Sequence, residues 1–178
     1  MMKDTMQHMF RIHKNALRPE HPDVLTPEQL YILLLIQLQE YKNKKNNVNR
    51  LFWLPTELHF ITAKKTLVNN GWIKGDGKGR YYCVYPKPDI NYVDINLKAF
   101  SKLLGYGFNP QEIMLFFIIM TFHGYRGDNN VTFTKISKHI GMTRREITST
   151  RRDFEDLLLK EKAYKEQREG TLKKKTSK

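Results

Sequence analysis

The chain has 178 residues, enough for one compact domain or two small ones, and its 40% apolar content supports a packed core. Lysine and arginine number 31 against 18 acidic residues, a formal charge of +13, which attracts polyanions such as DNA, RNA or an anionic membrane surface. The one cysteine, Cys83, excludes an intrachain disulfide and a multi-cysteine zinc site, and fits a reducing, cytoplasmic compartment.

Met1 to Phe10 has neither a long apolar core nor a small-residue cleavage pattern, and does not read as a signal peptide. The longest apolar runs, Tyr31–Ile36 and Ile113–Met120, fall far short of the ~20 residues that span a bilayer. His8 and His13 are five apart and share no helix face. His21, His59, His123 and His139 have no acidic or histidine partner at ligand spacing. The serines lack a nucleophile-elbow context. No catalytic residue, metal or cofactor is expected, and the chain reads as a non-enzyme.

The elements repeat along the chain. Met6, Met9, Phe10 and Leu17, ahead of the first copy, read as the counterpart of the amphipathic helical stripe that precedes the second. Thr26-Pro27-Glu28-Gln29-Leu30 then opens an apolar run through Ile36. A Thr cap followed by Pro is a helix start, because Pro at the first helical position gives up an N–H that had no partner. A basic loop, Lys42-Asn43-Lys44-Lys45, and a β-prone stretch, Leu51-Phe52-Trp53, are expected next. Two readings remain for the following stretch. Pro55–His59 is a short helix with Thr62 capping a second over Ala63–Val68, or one helix runs from Thr56 to Asn70; Gly71 stops it either way. Trp72–Lys74 and Arg80–Tyr85 flank Gly75-Asp76-Gly77-Lys78-Gly79, which predicts a β-hairpin with a basic, glycine-rich tip. The tip is not a phosphate-binding loop, since Gly77-Lys78 is followed by Gly79 and position 72 is Trp.

Pro86-Lys87-Pro88-Asp89 is an extended breaker, and Leu97, Phe100, Leu103 and Leu104 form an amphipathic stripe ending at Gly105. The second copy begins at Asn109-Pro110-Gln111-Glu112-Ile113, 83 positions after the first, and Asn129-Asn130-Val131 repeats Asn46-Asn47-Val48 at the same offset. Two long helices of matching length follow from this. The second is apolar almost all round, so it either packs between the copies or forms a homodimer interface. A loop, Tyr125–Asp128, and a β-prone Val131-Thr132-Phe133 come next. A short helix over Thr134–Ile140 ends at Gly141. Thr143-Arg144-Arg145-Glu146 is a capping box that starts a helix to about Leu159, with Ile147, Phe154, Leu157 and Leu158 as its buried stripe.

A long helix, a short strand, a helix-turn-helix and a Gly-rich hairpin resemble the winged-helix fold, over roughly residues 26–86 and again over 109–170. Leu67-Val68-Asn69-Asn70-Gly71-Trp72-Ile73 is similar to the junction between recognition helix and wing in that family. The resemblance implies a mainly α protein with small β-hairpin wings, built as two winged helix-turn-helix repeats. The first covers residues 1–88 and the second 89–172, with a disordered basic tail at 173–178. A second wing would come from Ala163–Lys165 and Thr171–Lys173 around Gly170, or a straight helix runs through Gln167. Tandem winged-helix chains of this size are similar to regulators and replication proteins of plasmids and phages.

The resemblance also implies a site. The recognition helix presents Arg144, Arg145, Thr148, Ser149 and Arg152, with Thr143 at its start, toward the major groove of double-stranded DNA, where Arg pairs with guanine N7 and O6. Lys64 and Lys65 would do the same in the first copy. Lys74, Lys78 and Arg80 on the hairpin would flank the minor groove or meet phosphate. Arg144 and Arg145 at the positive end of the helix dipole, with Asp153, Glu155 and Asp156 toward the other end, oppose helix stability but suit a phosphate-facing end. The expected function is sequence-specific duplex binding, as a transcriptional regulator of a mobile element or as a replication-origin or transfer-origin binding protein. One copy, the first by its aromatics, could instead serve protein interaction. Single-strand binding through exposed aromatics and attachment to a membrane surface are weaker alternatives.

Overall fold

The structure, a computed structural model, describes residues 8–46, 57–86, 88–123 and 130–157. The chain divides into two compact units, Met1–Gly141 and Met142–Lys178. It is mainly helical, with two small antiparallel sheets of two strands each.

In the first unit, strand β1 (Met9–His13) leads into a 3-10 turn (Lys14–Leu17), then helix α1 (Pro27–Asn46) and helix α2 (Leu58–Asn69). Strands β2 (Ile73–Gly75) and β3 (Tyr81–Cys83) make a hairpin. Strand β4 (Tyr92–Asn96) runs into helix α3 (Leu97–Gly105), and helices α4 (Pro110–Phe122) and α5 (Phe133–Ile140) complete the unit. In the second unit, residues 144–157 form helix α6.

The 83-residue repeat extends further than the motifs suggested. β1 and β4 stand at that offset and pair with each other, antiparallel, with Phe10 opposite Ile95, Arg11 opposite Asp94 and Ile12 opposite Val93. Phe10, Ile12 and Ile95 turn into the core, while Arg11 and Asp94 alternate to the outer face, as strand periodicity requires. α1 and α4 also stand at this offset and pack on each other. Both begin with a reciprocal cap. Thr26 N–H donates to Gln29 Oε1 at 3.0 Å while Gln29 N–H donates to Thr26 Oγ1 at 3.2 Å. Asn109 and Glu112 repeat the exchange at 2.8 and 2.9 Å.

Each copy's leading segment packs on the other copy's long helix: the 3-10 turn against α4, and α3 against α1. The core is therefore shared. Ile12, Leu17, Leu30, Ile32, Leu33 and Leu34 meet Ile95, Phe100, Ile113 and Phe122 in it, all fully buried. The apolar α4 is thus a helix packed between the copies. Met120 is its one residue that stays largely exposed, at 60%. α5 is tied to the segment before α1 by Lys135 Nζ to Glu20 Oε2 at 3.2 Å and by His139 Nε2 to the Leu25 carbonyl at 2.8 Å.

Several expectations are corrected. Lys42–Lys45 is not a loop. It is the end of α1, where Gln39 Nε2 donates to Asn43 Oδ1 at 2.8 Å and the terminal lysines complement the helix dipole. α1 and α4 consequently differ in length, 20 residues against 13. Thr62 caps nothing. α2 is unbroken from Leu58, and the Thr62 hydroxyl donates back to the Leu58 carbonyl. Val131-Thr132-Phe133 is not a strand. Thr132 is the N-cap of α5, its hydroxyl accepting from Lys135 N–H at 3.4 Å. Met9 and Phe10 belong to a strand, not to a helical stripe. On α6, Thr150 joins Ile147 and Phe154 among the buried residues, and Leu157 is half-buried. Leu51–Trp53, Tyr125–Asp128, Leu158, the second wing and the basic tail lie outside the described residues.

Candidate nucleic-acid interface

α2 ends as its sequence requires. Gly71 adopts φ +72°, its N–H donates to the Val68 carbonyl at 3.1 Å, and Trp72 N–H reaches back to the Leu67 carbonyl at 2.9 Å. This double closure satisfies the last helical carbonyls and turns the chain directly into the hairpin. At the hairpin root the rings of Trp72 and Tyr85 stack 3.8 Å apart, and the Trp72 carbonyl accepts from Val84 and Tyr85 N–H at 3.0 and 3.2 Å. Glu40 on α1 holds the outer strand, its carboxylate accepting from Cys83 N–H at 3.1 Å. The hairpin is thereby clamped to the long helix, and its tip residues Asp76 to Gly79 are exposed.

Asp76 organises that tip. Its Oδ1 accepts from Lys78 N–H at 2.8 Å and Arg80 N–H at 3.2 Å, and its carboxylate pairs with the Arg80 guanidinium. Desolvation raises the Asp76 pKa, but these hydrogen bonds together bring it below its ordinary value. Of the three hairpin cations, Arg80 is thus engaged within the tip, whereas Lys74 and Lys78 are exposed. Lys64 lies over the Tyr81 ring at 5.8 Å, half-buried, while Lys65 is exposed.

In the second unit the capping box forms as read. Thr143 Oγ1 accepts from Glu146 N–H at 3.2 Å, and Glu146 Oε2 accepts from Thr143 N–H at 2.6 Å and from its hydroxyl at 2.7 Å. These bonds hold the Glu146 carboxylate below its usual pKa. The cap fixes the first turn of α6, so Arg144, Arg145, Thr148, Ser149 and Arg152 all stand on the exposed side, opposite buried Ile147, Thr150 and Phe154. The Thr148 hydroxyl donates to the Arg144 carbonyl at 2.9 Å.

Sequence reasoning missed the strand β1 and its pairing with β4. The alternation Phe10, Ile12 against Arg11, His13, repeated as Val93, Ile95 against Asp94, Asn96, carries that signal. Among the described residues no group of three or more His, Cys, Asp or Glu is arranged to hold a metal ion, and no helix is long and apolar enough to cross a membrane. No protein-family model, characterised protein or solved structure matches this chain.

Proposed function

We propose that this chain binds double-stranded DNA in a sequence-specific manner, through two repeated winged helix-turn-helix units, and carries no catalytic activity. The observation that carries the reading is the outer face of α6, where three arginines and two hydroxyls are presented together by a capped helix. Arginine forks match guanine edges and phosphates, and small hydroxyls reach backbone oxygens without steric demand. The exposed Lys74 and Lys78 on a clamped hairpin directly after α2, within a chain of charge +13, add a second cationic element of the same kind. Regulation of a mobile element's transcription, or origin binding for replication or transfer, are the processes this reading fits.

The test is competition binding of the full chain. A labelled random-sequence duplex is titrated at several salt concentrations against unlabelled single strands and duplex. The reading predicts a steep negative salt dependence and weaker competition by single strands. Stronger competition by single strands than by duplex contradicts it.

A further inference from the structure

The buried residues of α2 and α6 follow one pattern. Phe60, Ala63 and Leu67 are buried on α2, and Ile147, Thr150 and Phe154 on α6; each set is spaced over two turns of one helix face. Aligning the sets pairs Phe60 with Ile147, Ala63 with Thr150 and Leu67 with Phe154, about one helical turn beyond the offset that relates α1 to α4.

This register fixes which exposed positions correspond. Thr62 matches Ser149 and Lys65 matches Arg152, so a hydroxyl and a cation recur one turn apart on both helices. The first turn does not match. Glu57 stands in place of Arg144, Leu58 in place of Arg145 and Ile61 in place of Thr148, and all six are exposed, Leu58 at 78%. The recurring pair has the chemistry of phosphate contacts, which carry no sequence information. The divergent turn has the chemistry of base edges. Arg pairs with guanine. A Glu carboxylate cannot, but it accepts from cytosine N4. Leucine and isoleucine suit the thymine methyl.

We infer, resting on the duplex-binding reading above, that the two reading helices have diverged in specificity. α6 reads guanine through Arg144 and Arg145, and α2, with Glu57 as its N-cap, reads pyrimidines through Glu57, Leu58 and Ile61. The target is then an asymmetric composite of two unlike elements, not a repeat of one element. The exposed Lys65 on α2 and Lys74 and Lys78 on the hairpin that follows it favour a polyanion over an apolar protein partner.

The experiment is selection of bound sequences from a randomised duplex pool by the full chain, repeated with Arg144→Ala/Arg145→Ala, with Glu57→Ala and with Leu58→Ala/Ile61→Ala. The substituted positions are exposed, so the buried set of each helix is left intact. Two unlike blocks are expected. The guanine block loses definition in the arginine variant, and the pyrimidine block in the other two. Replacing the thymines of that block with deoxyuridine, which lacks only the methyl, should weaken wild type about fourfold for each methyl contacted. It should leave Leu58→Ala/Ile61→Ala unchanged. Recovery of two like elements, or of a guanine block alone, overturns the inference while the duplex reading stands; a guanine block alone turns the α2 face toward a protein partner. Recovery of no preferred sequence removes the sequence-specific reading itself.

Discussion

Arg11 faces Asp94 across the β1–β4 ladder, 83 residues away, and the two occupy the same position in the two copies. Arg11 Nε lies 3.0 Å from Asp94 Oδ1 and Nη2 lies 3.3 Å from Oδ2, while the guanidinium sits 3.7 Å over the Tyr92 ring. Antiparallel pairing of equivalent strands about equivalent residues puts a local two-fold axis between these side chains. Two identical copies would bring like charges together there. The ion pair is therefore a place where the copies had to differ.

That geometry predicts a charge-reversal result. Arg11→Asp sets two carboxylates against each other across the ladder and should lower the urea midpoint more than Arg11→Ala. Arg11→Asp/Asp94→Arg should recover most of the loss, with chemical denaturation as the readout. The pair is partly solvated, so the whole series is small and shrinks in high salt.

The shared core is less forgiving. Phe100 is fully buried where α3 packs on α1, with its ring edge-on to Tyr31 at 6.1 Å. Phe100→Ala should cost about 3–5 kcal/mol, a large part of the ~5–15 kcal/mol that holds a domain together. Equilibrium unfolding should detect it as a single lowered transition spanning both copies of the repeat.

At the end of α2, Gly71 holds φ +72° with nothing within 4 Å of a built Cβ. Gly71→Ala therefore meets no distant neighbour, and its cost is the strain of a Cβ held in the left-handed region, about 1–2 kcal/mol by denaturant melt. Gly71→Asn should cost less, because asparagine tolerates the left-handed region.

His139 predicts a pH dependence. Burial lowers its pKa, opposed in part by its bond to the Leu25 carbonyl, so the folded protein favours the neutral ring more than the unfolded chain does. The unfolded histidine takes its proton first as pH drops below about 6.5. Its contribution is complete above that value and is lost as pH falls through the lowered folded pKa. Urea midpoints between pH 7 and pH 5 should decline in wild type and decline less in His139→Gln.

The sequence carried the caps and stops well, because each is a local exchange among a few residues. The reciprocal bonds of Gln29 and Glu112 came from the structure, while the caps Thr26 and Asn109, the capping box of Thr143 with Glu146 and the helix stops Gly71 and Gly141 stand where read. So does the hairpin around Asp76. What escaped were stretches whose local signals pointed two ways and one strand that a distant partner defines. Val131–Phe133 has strand propensity, yet the Thr132 hydroxyl caps α5. Lys42–Lys45 looks like a loop by charge, yet it extends a helix whose other turns are anchored in the core. β1 is five residues long, and only β4, far along the chain, makes it a strand. Of the site, the exposed face of α6 was legible from its cap and apolar spacing. The pairing of Arg80 with Asp76, which takes one candidate cation into the hairpin tip, was not.

Whether the exposed face of α6 reads duplex DNA is decided by salt-dependent binding of wild type and Arg144→Ala/Arg145→Ala to a panel of duplex fragments. Wild type is expected to prefer particular fragments, and the variant to bind them roughly tenfold or more weakly, with a shallower salt slope and no preference left. A variant that discriminates among the fragments as wild type does, with the same slope, would contradict a DNA-reading role for α6.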